Sequence, residues 1–288
     1  MRIDEQARRC TSFLAVRSKE KEGSRFQPMG TAFFIGEELG RGRAIKYAVT
    51  ARHVIDASRP HGALWMRCVS QNDDRRKLYE FPTDDWWLHP TSDVAVAPLA
   101  IPLEEFGLRF LPLNLFASPD WVEEHDVGIG DHVVASGLFS QFIGVDRDEP
   151  LVRFGRIALM PEEALQLGGD GPLPTMTFRA ILAELGSWGG QSGSPVFIYF
   201  SVDRGLFAGS ELQLKIPNPR LLGLIHGHYT IPQRLTGAPE TLGVHVPVNS
   251  GIAIIVPASA VLEVLALEQA TAHRERFVTV LREESLID

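Results

Sequence analysis

The segment Gly189–Pro195, which reads Gly-Gly-Gln-Ser-Gly-Ser-Pro, combines a serine hydroxyl with a turn built from glycine. Glycine adopts backbone φ values that a β-carbon would penalise. Such a turn can therefore aim two N–H groups at one point beside the hydroxyl of Ser192, which is what an oxyanion hole requires. A glycine-rich loop between two strands has the same composition. The segment alone leaves both interpretations, a nucleophile or a plain loop, open.

A serine nucleophile needs a neighbouring base, and the base needs a third group that orients it. His53 follows an apolar segment and would stand at the end of a strand, which is a rigid position for a base. Asp93 opens the apolar run 94–99 and can accept the imidazole N–H while half buried. Asp84 and Asp85 compete for this role, but two tryptophans rather than a strand follow them. We therefore favour Asp93 as the orienting carboxylate.

The elements that must position these residues are short strands. Segments rich in Val, Ile, Phe or Leu, bounded by Gly, Pro, Asp or Asn, recur along the chain. We predict strands at residues 13–17, 31–35, 44–50, 64–69, 94–99, 132–137, 152–159, 176–182, 196–200, 221–225, 244–248 and 252–256. Strands at this spacing favour an all-β barrel or sandwich over an α/β fold. A helix is predicted after Pro257, where an apolar face begins, and a second one near 273–282.

Composition and charge argue against several classes of protein. The chain has 288 residues, of which 28 are Lys or Arg and 36 are Asp or Glu, so the net charge is −8. This balance argues against nucleic acid and against an anionic membrane surface as partners. Residues 1–9 lack the apolar core of an export signal, and no apolar run is long enough to span a membrane. The two cysteines, Cys10 and Cys68, favour free buried thiols over a disulfide and predict a cytoplasmic location.

Three motifs carry a resemblance to a known family. Residues 50–53 (Thr-Ala-Arg-His), 92–96 (Ser-Asp-Val-Ala-Val) and 190–195 (Gly-Gln-Ser-Gly-Ser-Pro) resemble the triad motifs of the trypsin-like, or chymotrypsin-fold, serine peptidases. Their order, His then Asp then Ser, matches that family and excludes the orders of subtilisins and α/β-hydrolases. The resemblance covers about residues 27–265. Its serine motif is closer to bacterial glutamyl endopeptidases and their relatives than to digestive trypsins.

The resemblance implies an all-β fold of two six-stranded antiparallel Greek-key barrels with a C-terminal helix. We expect an N-terminal extension over residues 1–25 and a first barrel over 26–115, which carries the histidine and aspartate. A second barrel over 116–256 carries the serine and the substrate pocket, and a helical segment follows over 257–288.

The resemblance also implies an activity, that of a serine endopeptidase that hydrolyses peptide bonds through an acyl-enzyme intermediate. In that mechanism His53 takes the proton of Ser192, and Asp93 orients His53. The amides of Gly190 and Ser192 form the oxyanion hole. The implied partner is a protein or peptide substrate.

A substrate pocket follows from the same resemblance, with Gly186 and Ser187 at its floor and His226, Gly227 and His228 in its wall. No acidic residue stands at the floor, which argues against a preference for Lys or Arg. Glutamyl endopeptidases recognise an acidic side chain through a histidine in this wall, so a preference for Glu or Gln is one interpretation. In those enzymes the histidine usually stands two residues after a glycine of the same strand, whereas here His226 stands three residues after Gly223. On a regular strand, this shift by one residue would place the His226 side chain on the opposite face of the sheet.

A metal site and a non-catalytic function are also compatible with the sequence. His226 and His228 are two residues apart on a predicted strand, so they would share a face and metal ligation is conceivable. No cysteine and no matching third ligand is near, and we expect neither a metal nor another cofactor. Gln191 stands where zymogen-activated members carry an aspartate, which argues against that route of activation. A constitutively active protease would be hazardous in the cytoplasm and no removable pro-segment is evident, so we expect regulation by a protein partner. A function of a different class is a catalytically silent trypsin-like domain that binds peptides or a partner protein.

Overall fold

The computed structural model describes residues 3, 5–18, 25–72, 76–140, 149–167, 176–186, 189–200, 219–234 and 245–287. The strands are β1 (Thr11–Ser18), β2 (Arg25–Gly40), β3 (Arg43–Thr50), β4 (Ala63–Val69), β5 (Arg76–Pro82), β6 (Trp87–Leu88), β7 (Ala95–Pro98), β8 (Leu111–Pro112), β9 (His132–Gly137), β10 (Leu151–Leu159), β11 (Leu165–Leu167), β12 (Met176–Phe178), β13 (Ile181–Glu184), β14 (Pro195–Tyr199), β15 (Arg220–Arg234) and β16 (His245–Pro257). The α-helices are α1 (Glu5–Arg9), α2 (Arg52–Ser58), α3 (Pro119–Glu124), α4 (Ser259–Leu265) and α5 (Glu268–Glu283). The all-β prediction is confirmed, and the architecture is that of the trypsin-like two-barrel fold.

Six strands of the C-terminal half close a barrel in the order β10-β13-β16-β15-β14-β9. All of its pairings are antiparallel. A closed sheet has no free edge, and its inward-facing side chains form a compact interior. The buried apolar residues of this interior include Val133, Ala135, Ile157, Ala183, Val196, Ile198, Leu222, Ile225, Ala253 and Ile255.

The N-terminal half forms an open, eight-stranded sheet. Its strands follow the order β5-β4-β1-β2-β3-β7-β6, and β8 pairs with β2. β2 is 16 residues long, so its first part pairs with β1 and its later part pairs with β3. Among the described residues this half is therefore a half-barrel, with β5 and β6 at its two ends, and it takes the place of the first barrel of the two-barrel fold.

The first sheet begins earlier in the chain than expected. β1 lies inside the predicted extension over residues 1–25, yet it pairs with β2 along its whole length and touches β4. Its apolar side chains are buried, with Leu14 at 0% exposure. Residues 11–18 therefore belong to the sheet, because an apolar segment of this kind is stable only where both of its faces are covered.

Two further local predictions differ from the structure. β5 lies in none of the strand ranges predicted from the sequence: it begins inside the charged run 73–77 and carries Phe81 into the core. The strands predicted at 244–248 and 252–256 are one strand, β16. The polar residues between them lie where the pairing with β15 shifts register, so they form a bulge and not a chain reversal.

Two helices close the chain where the sequence predicts helix. α4 buries Ala260, Val261, Val264 and Leu265 against the main core. That core also contains side chains from both sheets, so it joins the two halves. None of the helices in the described part of the chain is long and apolar enough to cross a membrane.

Candidate active site

His53 lies in the first turn of α2, immediately after β3. Two hydrogen bonds join it to Asp93: its backbone N–H donates to Oδ1 over 2.8 Å, and its ring Nδ1–H donates to Oδ2 over 2.7 Å. A carboxylate held at both oxygens fixes the imidazole and leaves Nε2 as the free basic nitrogen. The structure thus brings His53 to Asp93, whereas Asp84 and Asp85 lie exposed in a separate 3-10 turn.

The loop that carries Asp93 is held in place by His89. Two backbone N–H groups of the loop donate to His89 Nδ1, at 3.1 and 2.7 Å, so the ring proton lies on Nε2. That Nε2–H donates to Glu263 of α4 over 2.8 Å. Arg52 donates to the carbonyl oxygens of His89 and its neighbour, at 2.9 and 3.3 Å. These bonds link α2, the aspartate loop and α4, and the sequence motifs did not reveal them.

Asp93 is completely buried. Burial alone would raise the pKa of its carboxyl, but hydrogen bonds from His226 and His53, together with the charges of these rings, outweigh burial and hold that pKa well below its usual range. Asp93 is therefore ionised at neutral pH and accepts hydrogen bonds from both rings.

Both halves of the fold hold the turn that bears Ser192. From the first sheet, the Thr31 N–H donates to Ser192 O and the Thr31 hydroxyl donates to Gly190 O, each over 2.8 Å. From the barrel, Ile225 O accepts the Gly193 N–H over 2.7 Å. Gly193 has a φ of 86°, and a Cβ there would overlap Thr31 O. Glycine is therefore required where the two halves meet.

The two amides expected to form the oxyanion hole flank Gln191. The carbonyl oxygen of Gly189 accepts hydrogen bonds from the N–H and hydroxyl of Ser140, at 3.3 and 2.9 Å. The N–H and C=O of a trans peptide point in opposite directions, so the Gly190 N–H is directed away from Ser140. Within the described part of the chain, neither this amide nor that of Ser192 has an acceptor. Two unpaired donors are what an oxyanion hole offers.

The hydroxyl of Ser192 donates to the carbonyl oxygen of His226 over 3.2 Å. No hydrogen bond joins it to His53 among the described residues. The two segments are nevertheless neighbours, because a Cβ on Gly30 would meet both Val54, at 2.8 Å, and Ser192 O, at 3.0 Å. Catalytic hydrogen bonds often tighten only when substrate binds. The Asp–His contact is thus formed and the His–Ser contact is not.

His226 occupies a different place from the one predicted for it. A register shift between Ile225 and Gly227 makes it the extra residue of a β-bulge in β15, and a bulge re-aims the side chain that it carries. Its side chain is only 6% exposed, and its Nδ1–H donates to Asp93 Oδ2, the same oxygen that accepts from His53. The pocket role predicted for the His226 side chain is therefore corrected to a contact with Asp93.

The remaining predicted pocket residues lie on either side of β16. Gly186 follows β13, which pairs with one edge of β16, while Gly227 and His228 lie on β15 at the other edge. All three are partly exposed. Burial lowers the pKa of His228, so its ring is neutral at neutral pH. Ser187 lies outside the described residues.

His53, Asp93 and His226 form the one trio of metal-ligating residue types that converges within the described ranges. The nitrogen and oxygen that join His53 to Asp93 are 2.7 Å apart, whereas tetrahedral ligands around zinc stand about 3.3 Å from one another. The 2.7 Å spacing is that of a hydrogen bond. His228 does not belong to the trio.

Comparisons with known proteins add little to this geometry. No protein-family model and no curated protein matches the chain. Among solved structures, the inactive serine-to-alanine mutant of Rv3671c from M. tuberculosis H37Rv is similar at 15% identity and a TM-score of 0.43, over 90% of this chain and 87% of that one. So distant a likeness does not bear on activity.

Proposed function

We propose that the chain is a serine endopeptidase in which Ser192 is the nucleophile, His53 is the general base and Asp93 orients the base. The observation that carries the proposal is the two-point hydrogen bond between His53 and the buried, ionised Asp93. Beside it lies a serine turn whose Gly190 and Ser192 amides have no acceptor among the described residues. A base fixed in one tautomer and a preorganised pair of donors are the parts that acyl transfer needs.

In the proposed reaction the Ser192 hydroxyl first rotates from His226 O towards His53 Nε2. His53 then takes the hydroxyl proton as the oxygen attacks the scissile carbonyl, and it returns that proton to the leaving amine. Asp93 stabilises the imidazolium that forms between these steps. The amides of Gly190 and Ser192 receive the oxyanion, and water later releases the acyl group by the same route in reverse.

For substrate selection, we propose a pocket bounded by Gly186, Gly227 and His228. The first two contribute no side chain, and the His228 ring is neutral at neutral pH because burial lowers its pKa. This lining supplies no charge to pair with either a basic or an acidic substrate side chain. The glutamyl-endopeptidase subtype therefore has no support, since His226, its candidate for recognising glutamate, contacts Asp93.

Labelling with a serine-directed fluorophosphonate tests the nucleophile. We expect wild type to label and Ser192→Ala to remain folded and unlabelled, with mass spectrometry locating the adduct on Ser192. Ser194→Ala is the matched control, since it removes a buried serine of the same turn and should retain labelling. Labelling that persists in Ser192→Ala would refute the assignment. A peptide-library cleavage profile then defines the substrate.

The second candidate function is a catalytically silent domain of this fold that binds peptides or a partner protein. The bond from Ser192 to His226 O, in place of one to His53, is the observation that favours it. A silent domain would neither label nor cleave under any condition. An enzyme that a partner protein activates would cleave casein only with that partner present, whereas robust cleavage by the purified chain alone would exclude both possibilities. We propose the cytoplasm as its location, because Cys10 and Cys68 are both buried and no disulfide joins them.

A further inference from the structure

The carboxylate of Asp93 accepts hydrogen bonds from two imidazoles. His53 Nδ1 and His226 Nδ1 both meet Oδ2, and the contact from His226 is the shorter. The two rings stand edge to face, with centroids 5.3 Å apart. Because Asp93 is ionised, it cannot donate, so the protons of both bonds lie on the rings.

The bulge in β15 gives His226 two separate contacts with the site. Its ring reaches Asp93, and its carbonyl oxygen, which is displaced from the regular ladder, accepts the Ser192 hydroxyl over 3.2 Å. On a regular strand the side chain of this position would face the opposite side. One inserted residue therefore connects the aspartate of the first sheet with the serine of the barrel.

We propose that His226 is a positioning residue of this active site, whose Nδ1–H anchors the carboxylate oxygen shared with His53 and so limits how strongly Asp93 draws a proton onto His53. The inference rests on the proposed function. The physical reason is that each N–H aimed at a carboxylate withdraws part of its negative potential from the other donor.

The surroundings of the His226 ring leave few other causes for such an effect. The titratable groups that face it are Asp93 and His53, and β12 contributes the apolar ring of Phe178 at 5.5 Å between centroids. Within the described ranges, no lysine or arginine forms an ion pair with Asp93. The potential at His53 is therefore set mainly by Asp93 and by what His226 withdraws from it.

The test compares His226→Leu, which fills the space without donating, with His226→Asn, whose side-chain N–H still donates and does not titrate. The rate of fluorophosphonate labelling is measured from about pH 5 to pH 9, across the ordinary histidine range. We expect His226→Leu to move the acid limb of the profile to higher pH by about one unit, because Asp93 then acts on His53 alone. His226→Asn should restore the wild-type limb.

His125→Asn is the matched control, because it removes another partly buried ring, which stacks on Trp121 away from Asp93. Its acid limb should remain at the wild-type pH. If His226→Leu leaves the limb in place, or if His226→Asn shifts it as far as His226→Leu does, the donor has no such role and the inference is overturned. His226→Ala serves as a second variant without a donor should His226→Leu fail to unfold cooperatively.

Histidine NMR separates this inference from the proposed function. In a Ser192→Ala background, the ring ¹⁵N shifts of His53 report its protonation without any reaction. Adding His226→Leu to this background should move the midpoint of the His53 shift upward, and an unmoved midpoint contradicts the inference. A wild-type protein that never labels refutes the proposed function, while the NMR midpoints still decide the role of His226.

Discussion

At the scale of single residues, the site depends on a charge that the fold has buried. Asp93 is inaccessible to water, yet its pKa is held below the usual range because hydrogen bonds from His226 and His53 outweigh burial. A buried carboxylate of this kind is stable only while its donors remain in place. The same carboxylate therefore both orients the His53 ring and contributes to the stability of the fold.

Stability should fall in acid because of Asp93. Its pKa is lower in the folded protein than its ordinary value of 3.8, so its contribution to the free energy of unfolding is complete above that value and is lost as the pH falls below it. The free energies of unfolding of wild type and Asp93→Asn, measured in urea at several pH values, report this contribution of Asp93. The difference between the two should be largest at neutral pH and should shrink below about pH 4; a difference that does not change with pH would contradict the prediction.

Asp93→Asn should also impair the chemistry. The backbone N–H of His53 keeps the new amide oxygen in the place of Oδ1. The amide N–H₂ then takes the place of Oδ2 and faces two rings that both donate, so at least one imidazole must change its tautomer. Labelling of Ser192 should slow by a factor on the order of 10⁴, because an imidazole in the wrong tautomer cannot accept the serine proton. A loss of less than tenfold would show that Asp93 does not orient the base.

At the scale of elements, Asp93 and Ser192 of the proposed site lie on a short loop and a turn, which the regular elements hold in place. The Asp93 loop is bonded to α4 through His89, and the Ser192 turn is bonded to both sheets. Such contacts transmit the rigidity of the regular elements to residues that lie outside them. The C-terminal helix α4 is thus bonded to the Asp93 loop through His89, although it contributes none of the proposed catalytic residues.

Removing the link between α4 and the aspartate loop should have a small, specific effect. Glu263→Ala should lower stability by no more than about 1 kcal/mol, because the carboxylate is largely exposed. It should slow Ser192 labelling a few-fold without shifting the pH profile, since His89 touches the loop and not His53. Glu263→Gln keeps an acceptor for the His89 Nε2–H and should behave as wild type. Labelling that is unaffected by Glu263→Ala would show that the loop does not need this support.

The serine turn should not tolerate a β-carbon at Gly193. Gly193→Ala should destabilise the fold by about 3 kcal/mol or more, since strain at a positive φ adds to overlap with the first sheet. Gly62 has a similar φ of 76° but open space around it, so Gly62→Ala should cost only about 1 kcal/mol. Equal losses in the urea unfolding of the two variants would mean that backbone strain alone, and not the contact with Thr31, requires glycine.

At the scale of the whole molecule, the site lies at the junction of the two halves. The open sheet supplies His53 and Asp93, and the turn leading into β14 of the barrel supplies Ser192. The Thr31 hydroxyl crosses the junction, because it donates to Gly190 O over 2.8 Å and accepts the Leu138 N–H over 3.2 Å. The relative position of His53 and Ser192 therefore depends on contacts between the halves.

Replacing this hydroxyl tests that dependence. Thr31→Val keeps the shape but leaves two buried backbone groups unpaired, so it should cost about 1–3 kcal/mol in stability. Labelling of Ser192 should slow by on the order of 10², because a small displacement of the turn misplaces the nucleophile. Thr31→Ser keeps both hydrogen bonds and should label at close to the wild-type rate. Labelling of Thr31→Val at the wild-type rate would show that the junction does not align the site.

The sequence was informative where the signal is local. Apolar runs between turn residues predicted most strands and the all-β class, and the polar motif around Asp93 pointed to the residue that meets His53. β5 was not predicted, because its first residues belong to a charged run, which is typical of a loop. The contact of His226 with Asp93 was not predicted, because it depends on a β-bulge that no residue pattern specified and that turns the His226 ring to the other face of the strand. Closure of a sheet likewise depends on long-range pairing and not on any one segment.

The open first sheet leaves hydrogen-bonding edges that the closed barrel does not have, and an exposed strand edge is a template on which further chains can add. At one end, β6 is only two residues long, which offers little to extend. At the other end, β5 carries the exposed charges of Lys77 and Glu80 and finishes with Pro82, whose nitrogen has no proton to donate. Charge, shortness and proline are features that natural sheets use against edge-to-edge association. The charged residues that made β5 hard to recognise in the sequence thus also make this edge a poor template for a further strand.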